Sequence, residues 1–117
     1  MLHPDCLIFG LPGSAKPLRG PEQFVAFWET FTSAVPNLMV AVEGTVAEGE
    51  IIVARCSVRG KHTGAGLPIP PSGRAFAFTG LCLAHIKDGM LHEGWNSFDF
   101  LSFYQQLGVI PAIGNPE

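Results

Sequence analysis

At 117 residues the chain is long enough for one domain with a single core, and too short for two. Hydrophobic residues make up 47% and charged ones 15%, a balance that fits a compact globule and leaves little charge to cover its surface. The net charge is −3 and the basic residues are scattered, so the positive patch that a nucleic-acid surface needs is absent from the sequence.

The first predicted element is a short strand over residues 2–9. It is closed by "GLPGSAKPLRGP", a loop dense in Gly and Pro. Pro21 then suits the first turn of a helix, where a missing N–H costs nothing. In "PEQFVAFWETFTSAVP" the residues Phe24, Phe27, Trp28 and Phe31 recur at spacings of three and four, which makes one aromatic stripe for packing on a sheet. Pro36 ends the helix.

Two Val- and Ile-rich runs separated by "EGE" predict a hairpin, with Ile52, Ala54, Cys56 and Val58 on its core side. "AGLPIPPSG" reads as a loop. "RAFAFTGLCLAHI" predicts a long strand, "KDGM" a turn, and residues 90–99 the last strand. "FLSFYQQLG" predicts a short terminal helix stopped by Gly108, and "VIPAIGNPE" a tail. Strands joined by short turns imply an antiparallel sheet, and one amphipathic helix covers only one of its faces: an α+β architecture. The long strand is apolar on both faces, so the other face of the sheet calls for a second copy of the chain.

No apolar run approaches the ~20 residues needed to cross a bilayer, and "MLHPDCLIFG" lacks the basic flank of a secretion signal. Cys6, Cys56 and Cys82 are odd in number and have no C-x-x-C spacing, which reads as buried thiols in a reducing compartment. The expected location is the cytoplasm, with no membrane partner.

The chemistry-bearing residues concentrate in "LHEGWNSFDF". Asp99 sits at a strand end before the apolar "FLSFY". A carboxylate desolvated there suits proton transfer; equally, Asp is a favoured helix N-cap. Glu93, Trp95 and Asp99 alternate onto one side of a regular strand, with Asn96 and His92 on the other, where an interface or solvent satisfies them. His85 depends on the turn. A two-residue Asp88-Gly89 loop pairs it with His92, opposite Asp99, whereas a three-residue loop with a bulge at Gly89 brings it to the side of Glu93, Trp95 and Asp99. His62, in "GKHTG", falls at a strand end, either as an exposed loop histidine or at a pocket mouth. His3 lies near the chain start. The four histidines form no H-x-H or H-x-x-x-H pair, so no metal site is expected. "GLPGSAKPLRG" lacks the G-K-[ST] ending of a phosphate-binding loop, and no G-x-S-x-G is present.

The stretches "RGKHTG", "IPPSGR", "AFAFTG" and "DGMLHEGWNSFDFLSFYQQLG" resemble the SnoaL-like polyketide cyclases of the NTF2-like superfamily, over almost the whole chain. The resemblance implies a curved antiparallel sheet wrapped by helices into a cone, an apolar cavity for a small apolar ligand, and a homodimer. Family members usually begin with a helix or two; this sequence starts almost directly on its first strand, so that helix is expected to be shortened or missing. In the cyclases an aspartate four residues after the tryptophan is the general acid/base of an intramolecular aldol closure, a position that Asp99 occupies. A histidine on the preceding strand assists, a position that His85 occupies. Trp95, Glu93, Phe24, Trp28 and His62 are the expected pocket residues, and no cofactor is implied. Two other readings stand beside the enzyme. One is a non-catalytic module that holds an apolar ligand in the same cavity. The other is epoxide hydrolysis, for which the long strand lacks an Arg-x-Asp pair. Ketosteroid isomerase chemistry needs a phenol donor, and the sole tyrosine, Tyr104, lies in the terminal helix.

Overall fold

A computed structural model describes residues 1–12 and 16–110. Residues 13–15 of the expected Gly/Pro loop and residues 111–117 of the expected tail lie outside the described residues. The chain runs β1 (Leu2–Phe9), β2 (Leu18–Arg19), α1 (Gly20–Ala34), β3 (Met39–Glu48), β4 (Ile51–Lys61), β5 (Ala75–Lys87), β6 (Met90–Phe98) and α2 (Phe100–Gln106). The strands form one sheet in the order β2-β1-β6-β5-β4-β3, open between its edge strands β2 and β3. The α+β class and the main elements agree with the sequence reading. Two features go beyond it. β2 is an added two-residue edge strand, and β1 pairs with β6 in parallel, so the sheet is not purely antiparallel.

Local chemistry explains the helix boundaries. Pro21 stands in the first turn of α1, and the Gln23 side chain reaches back to accept the Arg19 backbone N–H at 2.7 Å, which satisfies one of the unpaired donors of the helix start. The last turn closes with Val35 N–H on Phe31 O at 3.0 Å, immediately before Pro36.

The core lies where both helices meet the sheet. From α1 come Phe31 and Ala34, from β4 Val58, from β5 Phe76 and Phe78, and from α2 Phe103. Phe103 is fully buried and stands edge-on to Phe76, with ring centroids 4.7 Å apart and planes at 86°. It also meets Phe78 at 5.3 Å and Phe31 at 5.8 Å. Edge-to-face aromatic pairs stabilise beyond their buried area by about 0.5–1.5 kcal/mol each. The side of the sheet carrying Val58, Phe76 and Phe78 is therefore its inner face.

The outer face is uncovered. β3 is exposed along its whole length, and Val46, Leu81 and Trp95 are 73%, 50% and 48% accessible. The core side expected for β4 holds at Cys56 and Val58, which are buried, but fades toward the hairpin tip, where Ile52 is exposed. Burial pushes the Cys56 thiol up, and the neighbouring Cys82 thiol adds to the shift; a thiol so placed is a poor nucleophile.

Replacing Phe103 by Ala is expected to cost about 3–5 kcal/mol. Urea unfolding of the variant beside wild type measures it. A loss under 1 kcal/mol would mean that α2 is not held by this ring cluster.

Candidate functional site

The site is built by the last hairpin and the helix that follows it. Lys87 pairs with Met90 around Asp88 and Gly89, whose φ values are +52° and +75°. Positive φ at both central residues is the type I′ turn that matches strand twist. The turn is thus the two-residue one, yet His85 pairs with Glu93 and not with His92. The register shift comes from a bulge within β6 itself: Ile86 faces Leu91, His85 faces Glu93, and His92 is the extra residue. The sequence reading tied that shift to a longer turn with Gly89 in the bulge; the structure moves it to His92. The His92 ring stacks on His3 at 4.3 Å, and its Nε2 is buried without a partner.

The shift puts His85, Glu93 and Trp95 on one side of the sheet, and that side is the outer face. Trp95 lies flat on Phe9, with centroids 3.9 Å apart and planes at 7°, and its Nε1 donates to Glu93 Oε1 at 2.6 Å. His85 Nε2 stands 3.0 Å from Glu50 Oε1 at the β3–β4 turn. These side chains are partly solvated, and such a pair contributes little to stability. The sequence expectation of Trp95 and Glu93 in the pocket is therefore corrected: strand alternation carries them away from the helices.

Asp99 leaves the alternation altogether. β6 ends at Phe98, and Asp99 takes φ −81°, ψ +67° as the N-cap of α2. Its Oδ1 accepts the Ser102 N–H at 3.0 Å, and its own N–H donates to Thr79 O at 3.0 Å. The residue is exposed, and no hydrogen bond falls to its Oδ2 among the described residues. Since Asp99 is tied to Thr79, His85 lies six residues further along β5, about 20 Å away at the rise of a strand. The structure does not bring these two residues together.

His62 is neither exposed nor in a cavity wall. It is fully buried just beyond β4, where its Nδ1 accepts the Ser72 N–H at 3.1 Å and lies 3.1 Å from Ser72 Oγ. Its own N–H donates to Arg74 O at 2.9 Å and its carbonyl accepts from Gly73 N–H at 2.7 Å, so the ring holds the 62–74 loop closed.

The apolar cavity between α1 and the inner face measures ≈ 170 Å³. Phe24 and Trp28 line it, together with Phe27 and Phe31 of α1 and Val58, Phe78, Phe98 and Phe100 opposite. Asp99 therefore sits between two cavity-lining residues without lining the cavity itself. Asn96 is the polar residue in the wall, held by donation from its Nδ2 to Phe9 O at 2.9 Å. Sequence reasoning assigned Asn96 to an interface or solvent. The signal that places it was its parity with Phe98 and, across the strands, with Phe78, whose aromatic character marks the inner face. A larger hollow of ≈ 440 Å³ lies on the other flank of α1, against Pro68 and Tyr104, and neither Asp99 nor Asn96 borders it. Among the described residues no cluster of three or more His, Cys, Asp or Glu is arranged to hold a metal.

Comparison with known proteins gives this geometry a family. The profile of the SnoaL-like polyketide cyclases matches residues 1–107. The chain is 30% identical over 113 residues to the aklanonic acid methyl ester cyclase of Streptomyces galilaeus, covering 92% of this chain and 74% of that protein. It is also 30% identical over 93 residues to the same-named enzyme of Streptomyces sp. strain C5, covering 78% of this chain and 57% of that one. A crystal structure from Jannaschia sp. CCS1, assigned to the SnoaL-like polyketide cyclases, superposes with a TM-score of 0.82 at 25% identity, over 94% of this chain and 75% of that one. The single sheet backed by α1 and α2 has the fold of the NTF2-like proteins, and the chain belongs to the SnoaL-like polyketide cyclase family.

Proposed function

We propose that the protein is a cyclase-type enzyme, needing no cofactor, that moves a proton on an apolar carbonyl compound with Asp99 as general acid and base. The observation that carries this reading is the Asp99 carboxylate, fixed between cavity-lining Phe98 and Phe100 with Oδ1 engaged and no bond to Oδ2 among the described residues. The capped oxygen sets the orientation, and the other is available for the proton. In an aldol-type closure it removes a proton alpha to one carbonyl. The enolate carbon bonds to a second carbonyl carbon of the same molecule, and the carboxylic acid returns the proton to the resulting alkoxide. His85, about 20 Å away along β5, stays outside the reach of Asp99 in a single chain, so one group both takes and returns the proton. The related enzymes named for aklanonic acid methyl ester support an ester-bearing polyketide as the type of substrate.

A second reading is a ligand-holding module without chemistry. The same residue favours it, because Asp99 is exposed and accepts a backbone N–H as a cap. One pair of variants separates the two. Asn caps a helix about as well as Asp does, while Ala removes the cap at a cost of about 1 kcal/mol. With aromatic polyketide esters and small aryl ketones as substrates, followed by chromatography, Asp99→Asn is expected to lower turnover by about a hundredfold or more at unchanged stability. Asp99→Ala loses both turnover and the cap energy, and His85→Gln leaves turnover within about twofold. Absence of turnover in wild type, with ligand binding indifferent to Asp99→Asn, would establish the module instead.

The apolar outer face supports a homodimer through the sheet. Val46, Leu81 and Trp95 are exposed on that face, and a second copy laid across it would bury them. Light scattering is expected to give twice the chain mass for wild type and the single-chain mass for Leu81→Glu. A monomeric wild type would rule the dimer out.

A further inference from the structure

The carboxamide of Asn96 offers the cavity a donor in a fixed direction. A primary amide carries two N–H donors and one carbonyl acceptor. Phe9 O can only accept, so it must face the nitrogen, which fixes the orientation of the amide. One N–H is thereby used. The other N–H and Oδ1 have no partner among the described residues. Oδ1 is not among the buried side-chain atoms without partners, which are the Nε2 of His62 and of His92, and Asn96 lines the cavity. The anchoring carbonyl is itself held. Phe9 ends β1, and Gly10 follows at φ +83° with no room for a Cβ, which would collide with the Asn96 carbonyl. β1 and β6 can close to this distance only because a glycine stands there.

Around this donor the walls are aromatic. Phe24, Phe27, Trp28 and Phe31 form one side, and Phe78, Phe98 and Phe100 the other. A pocket with largely apolar walls and few placed polar groups orients its ligand through those groups. At ≈ 170 Å³ the cavity falls below the roughly 300–1,000 Å³ of sites that hold drug-sized molecules, a size that suits a probe of one or two fused rings.

We propose that Asn96 anchors the carbonyl or enol oxygen of a one- or two-ring aryl ketone, its free N–H donating to that oxygen while the aromatic walls clamp the ring. This deepens the proposed function by naming the class of ligand and the group that orients it, and it rests on that reading only for the choice of cavity. The donor stands three residues from Asp99, about 10 Å along the backbone. A ketone held at Asn96 keeps its alpha carbon inside the cavity that Phe98 and Phe100 line. When a proton leaves, the same N–H faces the developing enolate charge.

The test compares 2-acetylnaphthalene with 2-ethylnaphthalene, which are nearly equal in shape and differ in the carbonyl. Their affinities are measured by calorimetry on the purified chain. Wild type is expected to prefer the ketone by roughly three- to tenfold, the worth of one hydrogen bond. Asn96→Leu and Asn96→Ala are expected to abolish the preference while retaining hydrocarbon affinity, which also serves as the control for an intact cavity. A measurement on wild type alone covers the case in which both variants misfold. In ¹⁵N-labelled protein the ketone, and not the hydrocarbon, is expected to shift the side-chain NH₂ resonances of Asn96. Asp99→Asn should keep the full preference, so loss of the acid/base role would leave this assignment standing. Equal preference in wild type and the Asn96 variants, equal NH₂ shifts with both compounds, or binding of neither would overturn it.

Discussion

The contact between Phe103 and the aromatic pair Phe76 and Phe78 sets the rest of the molecule. It fastens α2 to β5 and, through Phe31, draws α1 over the same side of the sheet. Once that side is the inner one, alternation fixes the residues of β5 and those of β6 beyond the bulge at His92. Phe78, Asn96 and Phe98 turn inward; Leu81, His85, Glu93 and Trp95 turn outward. The chain then has to leave β6 sharply to bring Phe103 down onto the sheet. Asp99 is the residue at that corner, which is why a carboxylate is found between two cavity-lining phenylalanines.

The polar residues of "LHEGWNSFDF" consequently serve three surfaces. Glu93 and Trp95 bond to each other on the outer face, where Phe9 covers one side of the indole. Asn96 ties β6 to the end of β1 on the inner face. Asp99 caps α2 and orders the first turn of a helix of only seven residues, too short to be stable without packing and a cap. His92 absorbs the bulge, and its ring is covered by His3. A strand rich in polar groups is thus explained by the different neighbours of each one.

Much of the fold was legible because it depends on local pattern. The α1 stripe, the hairpin around "EGE", the long apolar β5 and the Asp-Gly turn are all near-neighbour signals, and each element stands where its residues predicted. The parallel pairing of β1 with β6 and the two-residue β2 were not legible, since both depend on where a distant strand comes to rest. The site divided in the same way. Phe24 and Trp28 line the cavity, where helical spacing had given only a stripe for packing on a sheet. Trp95 and Glu93 were grouped with each other, and His85 was left to the turn; the pair was assigned to the wrong face, because alternation sorts side chains into two sets without saying which set is inside.

The sequence by itself determined the elements, the shared side of His85, Glu93 and Trp95 given a bulge, and the family, through motifs that need no coordinates. Only the tertiary structure decided which side the helices cover, where the bulge sits, and that His85 and Asp99 lie a strand's length apart. The physical reason is that these outcomes follow from long-range packing of aromatic rings. Phe103 chooses the inner face by its fit against Phe76 and Phe78, a contact between residues more than twenty positions apart that no periodicity encodes.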